Sequence, residues 1–599
     1  MGMTRDIALK LIAAFCAASV ALALVVAHRS PAVGYELSIY NSTPALVWFL
    51  LLLSLVGGIG VVIHELATGR YQESRTYLVG FAVTLLTVVA FLCLPFVRDY
   101  TTWRADQMAH IGFVEDISLT GHTGGLNAYP ITHVLFFEIA SVTGVPGIEV
   151  LNLNTALILP IFVLTIYLLA TVVLPQRGQR LLAALIAGGA IVGIERYYLV
   201  PNTWSILMLP LLFYCYFKVD RTPFKVLLLL LLVAYPFFHP LSSLVIIAAL
   251  AVMELPKPIY SRLLRRLRMQ APSWVDSKPL LWPLLLELAI FLPWVLTREW
   301  FRTNVLQLWH QLTTGRGGQE IAKTGEALGK VGAQGLDVVI LGMKMYGEFL
   351  ILVLLAAVGI VLLLRQFRSG DRDSGKYRLF SLGVLLLLAC LFYAAYFLGI
   401  PGAEALAADR ILVYIEVVSI TLMAFALWEL SRQTSFKHVA WIGVFGVVVL
   451  ASMLNIAGHY SSPYIVRPGE QVTQMDMTGM TWYLEKKDPT VYAFYIATPP
   501  ERFAQAILGT HAADRRKDIE YDTQFMDHFG SDYYSTLGEQ YVENQYASIH
   551  TYDKAVYQTV WWRLDRFNDV DFARLEQDPT VNRIYSNGGM DCLFITGSG

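Results

Sequence analysis

Cysteine is scarce in this 599-residue chain: Cys16, Cys93, Cys215, Cys390 and Cys592 are all there is, with no Cys-x-x-Cys pair. That spacing offers neither a disulfide framework nor a thiolate metal site. Charge is scarce too. Only 15% of residues are Asp, Glu, Lys or Arg, where soluble domains carry about a quarter. The 45 basic residues balance 46 acidic ones, so the basic excess behind general nucleic-acid affinity is missing and no nucleic-acid partner is expected. No low-complexity linker, solenoid-length repeat or inverted pair of Gly/Pro-broken spans stands out. What is abundant is apolar: 56% of residues are hydrophobic, and the mean hydropathy is +0.53. The sequence reads as an α-helical polytopic membrane protein.

A bilayer core about 30 Å thick takes roughly 20 apolar residues in a helix rising about 1.5 Å per residue. Runs near that length fall at 7–27, 45–65, 77–97, 147–174, 181–198, 200–217, 225–237, 240–254, 280–297, 346–364, 379–398, 411–430 and 439–457. They predict about thirteen spans; the pairs 181–217 and 225–254 are the least sharply divided. Residues 1–27 lack a clean cleavage site and read as a retained helix.

Lys and Arg set the direction. With the N-terminus in the cytoplasm, the inner connections hold Arg70 and Arg75, Arg177 and Arg180, and Lys218, Arg221 and Lys225. They also hold the cluster Arg262, Arg265, Arg266 and Arg268, then Arg365, Arg368 and Arg378, and Arg432 with Lys437. The opposite short loops hold Arg29, Arg98, Arg104, Arg196 and Arg410. An odd span count leaves everything after 458 outside. The predicted layout is an N-terminal hairpin 1–65, a membrane core 66–457 with external loops 98–146 and 298–345, and an external soluble α/β domain 458–599. Within that domain, 475–485, 500–508 and 554–567 read as helices, 491–496 as a strand, and 582–595 as a hairpin around Asn587-Gly588-Gly589. The Gly-rich stretch 315–336 reads as an external loop.

The first external loop concentrates side chains suited to chemistry. It runs Arg98-Asp99-Tyr100-Thr101-Thr102-Trp103-Arg104-Ala105-Asp106-Gln107-Met108-Ala109-His110, then through Glu115-Asp116 and His122 to Asn127-Ala128-Tyr129-Pro130. A short amphipathic helix over 131–143 precedes Gly144-Val145-Pro146. Asp106 and His110, four apart, share one face of a helix. A carboxylate at the membrane surface beside aromatic groups can take a proton from a hydroxyl. Spacing alone also fits a carboxylate that merely caps or solvates a loop helix.

A span ending in a loop with Asp-x-x-x-His, a Tyr-Pro about twenty residues on and a short helix before the next span resembles the GT-C class. These are membrane glycosyltransferases, including protein mannosyltransferase-like members, that take sugars from polyprenyl-phosphate carriers. Ser30-Pro31-Ala32-Val33-Gly34-Tyr35-Glu36 and the segment 578–589 are similar to large archaeal membrane proteins of this group. The resemblance covers most of the chain. It implies a GT-C-like fold in which Asp106 is the general base, with Asp99 the competing candidate. His110 and Glu115 or Asp116 would orient base or acceptor, and His122 and Tyr129 would support the loop. The family usually places this loop after its first span; here it follows the third, so 1–65 reads as an added hairpin.

Phosphate suits Arg, whose planar fork binds oxygens bidentately. The resemblance implies a late-span Arg facing the lipid phosphate, and Arg410 matches; the residues alone fit equally an Asp409–Arg410 pair that snorkels. Arg196 has the same alternatives, and His239, in Phe237-Phe238-His239-Pro240, is a further phosphate-side or structural candidate. Glu287 and Glu416 lie within spans, as a proton-coupled transporter would have them, though no chain of acids links several helices. Tyr533, Tyr534, Tyr541, Tyr546, Trp561 and Trp562 suit either sugar stacking or a core. Trp561-Trp562-Arg563-Leu564-Asp565 departs after two residues from the Trp-Trp-Asp-Tyr-Gly signature of oligosaccharyltransferases, and the first loop has no compelling Asp-x-Asp pair. No metal or other cofactor is therefore expected.

The expected activity is inverting transfer of a sugar from a polyprenyl (dolichyl) phosphate to a hydroxyl on a glycan, lipid or protein acceptor. It would occur among membrane lipids at the extracellular face of an archaeal plasma membrane. The alternatives are a non-catalytic scaffold whose external domain binds glycans or a partner, and a lipid or solute transporter.

Overall fold

The computed structural model describes residues 2–189, 198–266, 278–314, 320–371, 373–401, 403, 408–519, 527–529 and 534–599. Among the described residues each predicted apolar run falls on helix; 190–197, within the run 181–198, lie outside the described residues. Nine helices among the described residues are long and apolar enough to cross a membrane, including Ala45–Ala67, Thr76–Val97, Leu336–Arg368, Ser374–Phe397 and Leu412–Gln433. Arg177–Gly189, Pro201–Phe217, Thr222–Phe238 and Trp282–Leu296 are shorter. The indistinct boundary within 225–254 falls at His239, whose extended backbone (φ −164°) precedes Pro240, a residue with no N–H to continue the helix.

The N-terminal helix Gly2–His28 packs with Ala45–Ala67 and Thr76–Val97. The last two approach closely because Gly58 and Gly80 face each other's helix: a Cβ on Gly58 would lie 2.6 Å from Thr84 Oγ1. At the C-terminal end of Thr76–Val97, buried Arg98 holds Glu36 bidentately at 2.6 and 2.7 Å and donates to Thr43, and Tyr100 donates to the same carboxylate. That cluster anchors the start of the loop 98–146.

The tail has the expected mixed character. Its sheet runs β3 (Ala493–Tyr495), β4 (Gln545–His550), β6 (Met590–Ile595), β5 (Val581–Ser586); β3 and β4 are parallel and the other pairs antiparallel. The hairpin β5–β6 turns at Gly588, whose φ of +88° suits glycine. Helices Gln474–Lys486 and Pro500–Leu508 appear where the periodicity puts them. Two expectations need correction. The stretch 554–567 breaks at a 3-10 turn, Trp562–Leu564, and positive-φ residues Asp565 and Phe567 stop any helix there. The Gly-rich stretch 315–336 contains the helix Glu320–Lys330, Gly325 and Gly329 notwithstanding; 315–319 lie outside the described residues.

Loop and tail are joined. β1 (Thr102–Trp103) pairs antiparallel with β2 (Gln471–Val472). Beside it, buried Arg104 donates to Asp476 at 2.9 Å and stacks 4.3 Å from the Tyr552 ring centre. The other Asp476 oxygen lies 2.7 Å from His550 Nδ1, so one carboxylate ties loop, tail helix and tail sheet together.

Candidate active site

Asp106 is the first residue of the helix Asp106–Thr120. Its position is set from behind. Arg104 is fixed by Asp476 and by its backbone N–H, which donates to Glu470 O at 2.9 Å, and the chain then turns through Ala105 at φ 63°, ψ −134°. Alanine resists that conformation, which costs about 1–3 kcal/mol and persists only where surroundings impose it. The Asp106 side chain is 59% exposed and accepts from Arg502 Nη2 at 3.2 Å; Arg502 belongs to the tail helix Pro500–Leu508.

Asp106 and Arg410 line one cavity of about 520 Å³. Arg410 stands in the turn Ala408–Ile411, immediately before the span Leu412–Gln433. The remaining wall comes from Asn202 and Thr203, from Tyr346 and Glu348 on Leu336–Arg368, from Tyr393 and Tyr396, from Glu416, and from Arg467 beyond the last span. Thr324, on the helix Glu320–Lys330, also lines it. A second cavity of about 400 Å³ lies beside it between the spans, walled almost wholly by apolar side chains. The two share helices: Tyr393, Tyr396 and Val413 face the first, while Leu385, Ala389, Phe392, Ile411 and Val417 face the second. Arg410, on the wall of the first cavity, is followed in the chain by Ile411, on the wall of the second.

The loop histidines form a buried chain. His110 Nδ1 lies 3.0 Å from His133 Nε2, and His133 Nδ1 lies 2.9 Å from Asn127 Oδ1. An amide oxygen can only accept, so His133 donates from Nδ1 and receives the His110 proton at Nε2. Burial pushes the His110 imidazole down to about 4, with nearby Asp106 opposing and Arg502 adding to the shift. His133 is lowered too, by burial and by His110. Both rings are neutral at physiological pH. Tyr129 stacks on His239 at 4.9 Å; burial raises its phenol, which Arg410 opposes and Asp106 reinforces.

The other candidates sit elsewhere. Asp99 is exposed with φ 65°, turned off the end of its span and away from the cavity wall. Asp116 is buried and accepts the His511 amide at 3.1 Å, a structural link to the tail. Glu115 is half-buried and His122 exposed; neither lines the cavity. His239 Nδ1 accepts from Leu241 N at 3.3 Å, so this ring caps the helix that Pro240 opens; it is not on the cavity wall but lies within electrostatic reach of Arg410. Arg196 lies outside the described residues, as does Tyr533. Fully buried Glu287 is absent from the cavity wall, whereas Glu416 is on it. Of the tail aromatics, Tyr541 and Trp561 pack against its core and Trp562 is exposed.

Sequence reasoning missed Arg502, His133 and Arg467. An outer-face Arg soon after the last span, against the inward bias of basic residues, was the one signal for Arg467. Among the described residues no three His, Cys, Asp or Glu side chains gather as metal ligands do.

No family model and no curated protein matches this sequence. Among solved structures the chain is similar to an oligosaccharyltransferase of Archaeoglobus fulgidus in the apo form, at 12% identity and a TM-score of 0.47, over 85% of this chain and 73% of that one. It is similar also to oligosaccharyltransferase AglB of Archaeoglobus fulgidus in complex with an inhibitory peptide and a dolichol-phosphate, at 11% identity and a TM-score of 0.45, over 80% and 68%. A third likeness is to arabinofuranosyltransferase AftD from Mycobacteria, at 12% identity and a TM-score of 0.45; it spans 88% of this chain and 40% of that one.

Proposed function

We propose that this protein is an inverting membrane glycosyltransferase that moves a sugar from a polyprenyl (dolichyl) phosphate to a hydroxyl acceptor at the extracellular face of a plasma membrane. One observation supports this reading above the others: a single cavity brings together a carboxylate from the external loop and a guanidinium at the head of a late span. The apolar cavity next to Arg410 suits a prenyl chain, and a chain lying there sets its phosphate at the Arg410 guanidinium.

The chemistry balances simply. Asp106 takes the acceptor hydroxyl proton as the oxygen attacks the anomeric carbon from the face opposite the phosphate. The bond from that carbon to the phosphate oxygen breaks, and the electron pair leaves with the carrier phosphate. Arg410 holds the charge growing there, a contribution of about 3 kcal/mol in a site shielded from water. The Tyr129 phenol, kept protonated, can donate a hydrogen bond. The neutral His110–His133–Asn127 chain stiffens the helix that carries Asp106. In this scheme the positive charge comes from arginine, and no resident metal takes part.

The test is transfer by the purified chain from a short-chain polyprenyl-phosphate hexose, with the product's anomeric configuration read by NMR. Wild type should give inverted product. Asp106→Asn should lower turnover by about 10³-fold or more while the protein inserts and melts as before; a variant as active as wild type refutes Asp106 as base, and a retained anomer refutes the single displacement.

A further inference from the structure

We propose that the substrate of this cavity carries a second anionic group, beyond the carrier phosphate at Arg410, and that Arg467 binds it. The inference rests on the lipid-donor reading above and specifies its substrate.

Four arginines of the loop and tail each hold a carboxylate: Arg98 is held by Glu36, Arg104 by Asp476, Arg502 by Asp106 and Arg516 by Asp518. Arg467 is half-buried on the cavity wall, and among the described residues its side chain has neither an ion pair nor a hydrogen bond. A guanidinium drawn partly out of water is stabilised when an anion completes it, and most strongly when two parallel N–H groups meet two oxygens. The acids on the same wall do not supply that anion. Asp106 is taken by Arg502, and Glu348 and Glu416 belong to the spans and have interactions of their own.

The backbone under Arg467 is strained and pinned. Val466 has φ 58°, a left-handed conformation that a β-branched residue strongly disfavours. Its N–H donates to Pro463 O at 3.1 Å, and its carbonyl accepts Trp561 Nε1–H at 3.2 Å. The Arg467 N–H donates to Ser462 O at 3.1 Å, and Pro468 confines Arg467 to extended conformations. Gly469 N–H then donates to Leu37 O at 2.9 Å. A residue bracketed in this way presents its side chain from a fixed origin, which lowers the ordering cost of gripping a ligand. Trp561, on the tail, is part of that bracket.

A neutral sugar on a monophosphate engages Arg410 and leaves Arg467 without a counter-charge. Two substrate chemistries satisfy both: a carrier diphosphate, whose second phosphoryl group meets Arg467, and a sugar bearing a carboxylate.

Equilibrium binding to the full chain in nanodiscs separates them, with four probes: farnesyl phosphate, farnesyl diphosphate, farnesyl-phosphate glucose and farnesyl-phosphate glucuronate. Wild type should bind either the diphosphate or the glucuronate at least about 10-fold tighter than its counterpart lacking the second anionic group. Arg467→Gln should erase that preference while changing farnesyl phosphate binding by less than about 2-fold, and Arg467→Lys should retain part of it. Preference for the diphosphate assigns the second anion to the carrier; preference for the glucuronate assigns it to the sugar. Equal binding of all four probes, or a preference that survives in both variants, overturns this inference and leaves the lipid-donor reading standing. Failure of wild type to bind any probe overturns both.

Discussion

Ala105 holds a conformation that alanine resists, and the residue it delivers is Asp106. Relieving the strain should therefore separate stability from function. Ala105→Gly is expected to raise stability by about 1 kcal/mol, strain relief outweighing the added chain entropy, while transfer falls because the carboxylate is no longer aimed. Differential scanning fluorimetry alongside a turnover assay checks both signs. The buried histidines give a pH signature. His110 titrates near 4 when folded and near 6.5 when free, so between those values the unfolded chain binds the extra proton. Its contribution to stability is complete above about 6.5 and is lost as pH falls towards 4, by roughly 3 kcal/mol at the limit. Melting temperature should drop over that window, and His110→Asn should flatten the drop. At this scale the sequence was partly legible. Asp106 and Arg410 were singled out through the family resemblance, and the structure puts both on the wall of one cavity. Arg502 could not, since 396 positions separate it from its partner.

Among the elements, spans were the most legible, because lipid forces about 20 apolar residues into any helix that crosses. The loop helix Pro130–Thr143 was legible for a different reason: Pro130 opens it and Gly144, at φ +70°, closes it. What the periodicity hid was the union of loop and tail through β1, β2 and the Arg104–Asp476–His550 cluster, because two-residue strands have no pattern. Burial alone would raise the Asp476 carboxyl, yet Arg104 and His550 outweigh it and hold the group well below the usual carboxylate range. Its stabilising effect is thus present above about pH 4 and is lost only as acid protonates it. Asp476→Asn leaves Arg104 buried without its counter-charge and should cost about 3–5 kcal/mol. The measurable consequence is faster proteolysis of the 471–508 region in intact membranes; unchanged protection would show that the junction is held by other contacts.

The molecule as a whole is a membrane bundle whose tail packs on the loop 98–146, so that Arg502 and Trp561 support a cavity made chiefly by spans and loop. Composition told the bundle from the tail. It could not tell that Thr324 from one external segment and Arg467 from another would close on the same chamber, because such closure depends on how helices pack and not on any local pattern. The central claim is a division of labour across that chamber, with the proton taken on the Asp106 side and the phosphate held on the Arg410 side. Donor affinity and turnover measured together on two variants test it most directly. Asp106→Asn should bind a polyprenyl-phosphate sugar within about 2-fold of wild type yet fail to transfer it, whereas Arg410→Ala should weaken donor binding or its turnover by about 10²-fold. Equal donor binding and equal turnover in Arg410→Ala and wild type, or transfer by Asp106→Asn at the normal rate, would contradict it.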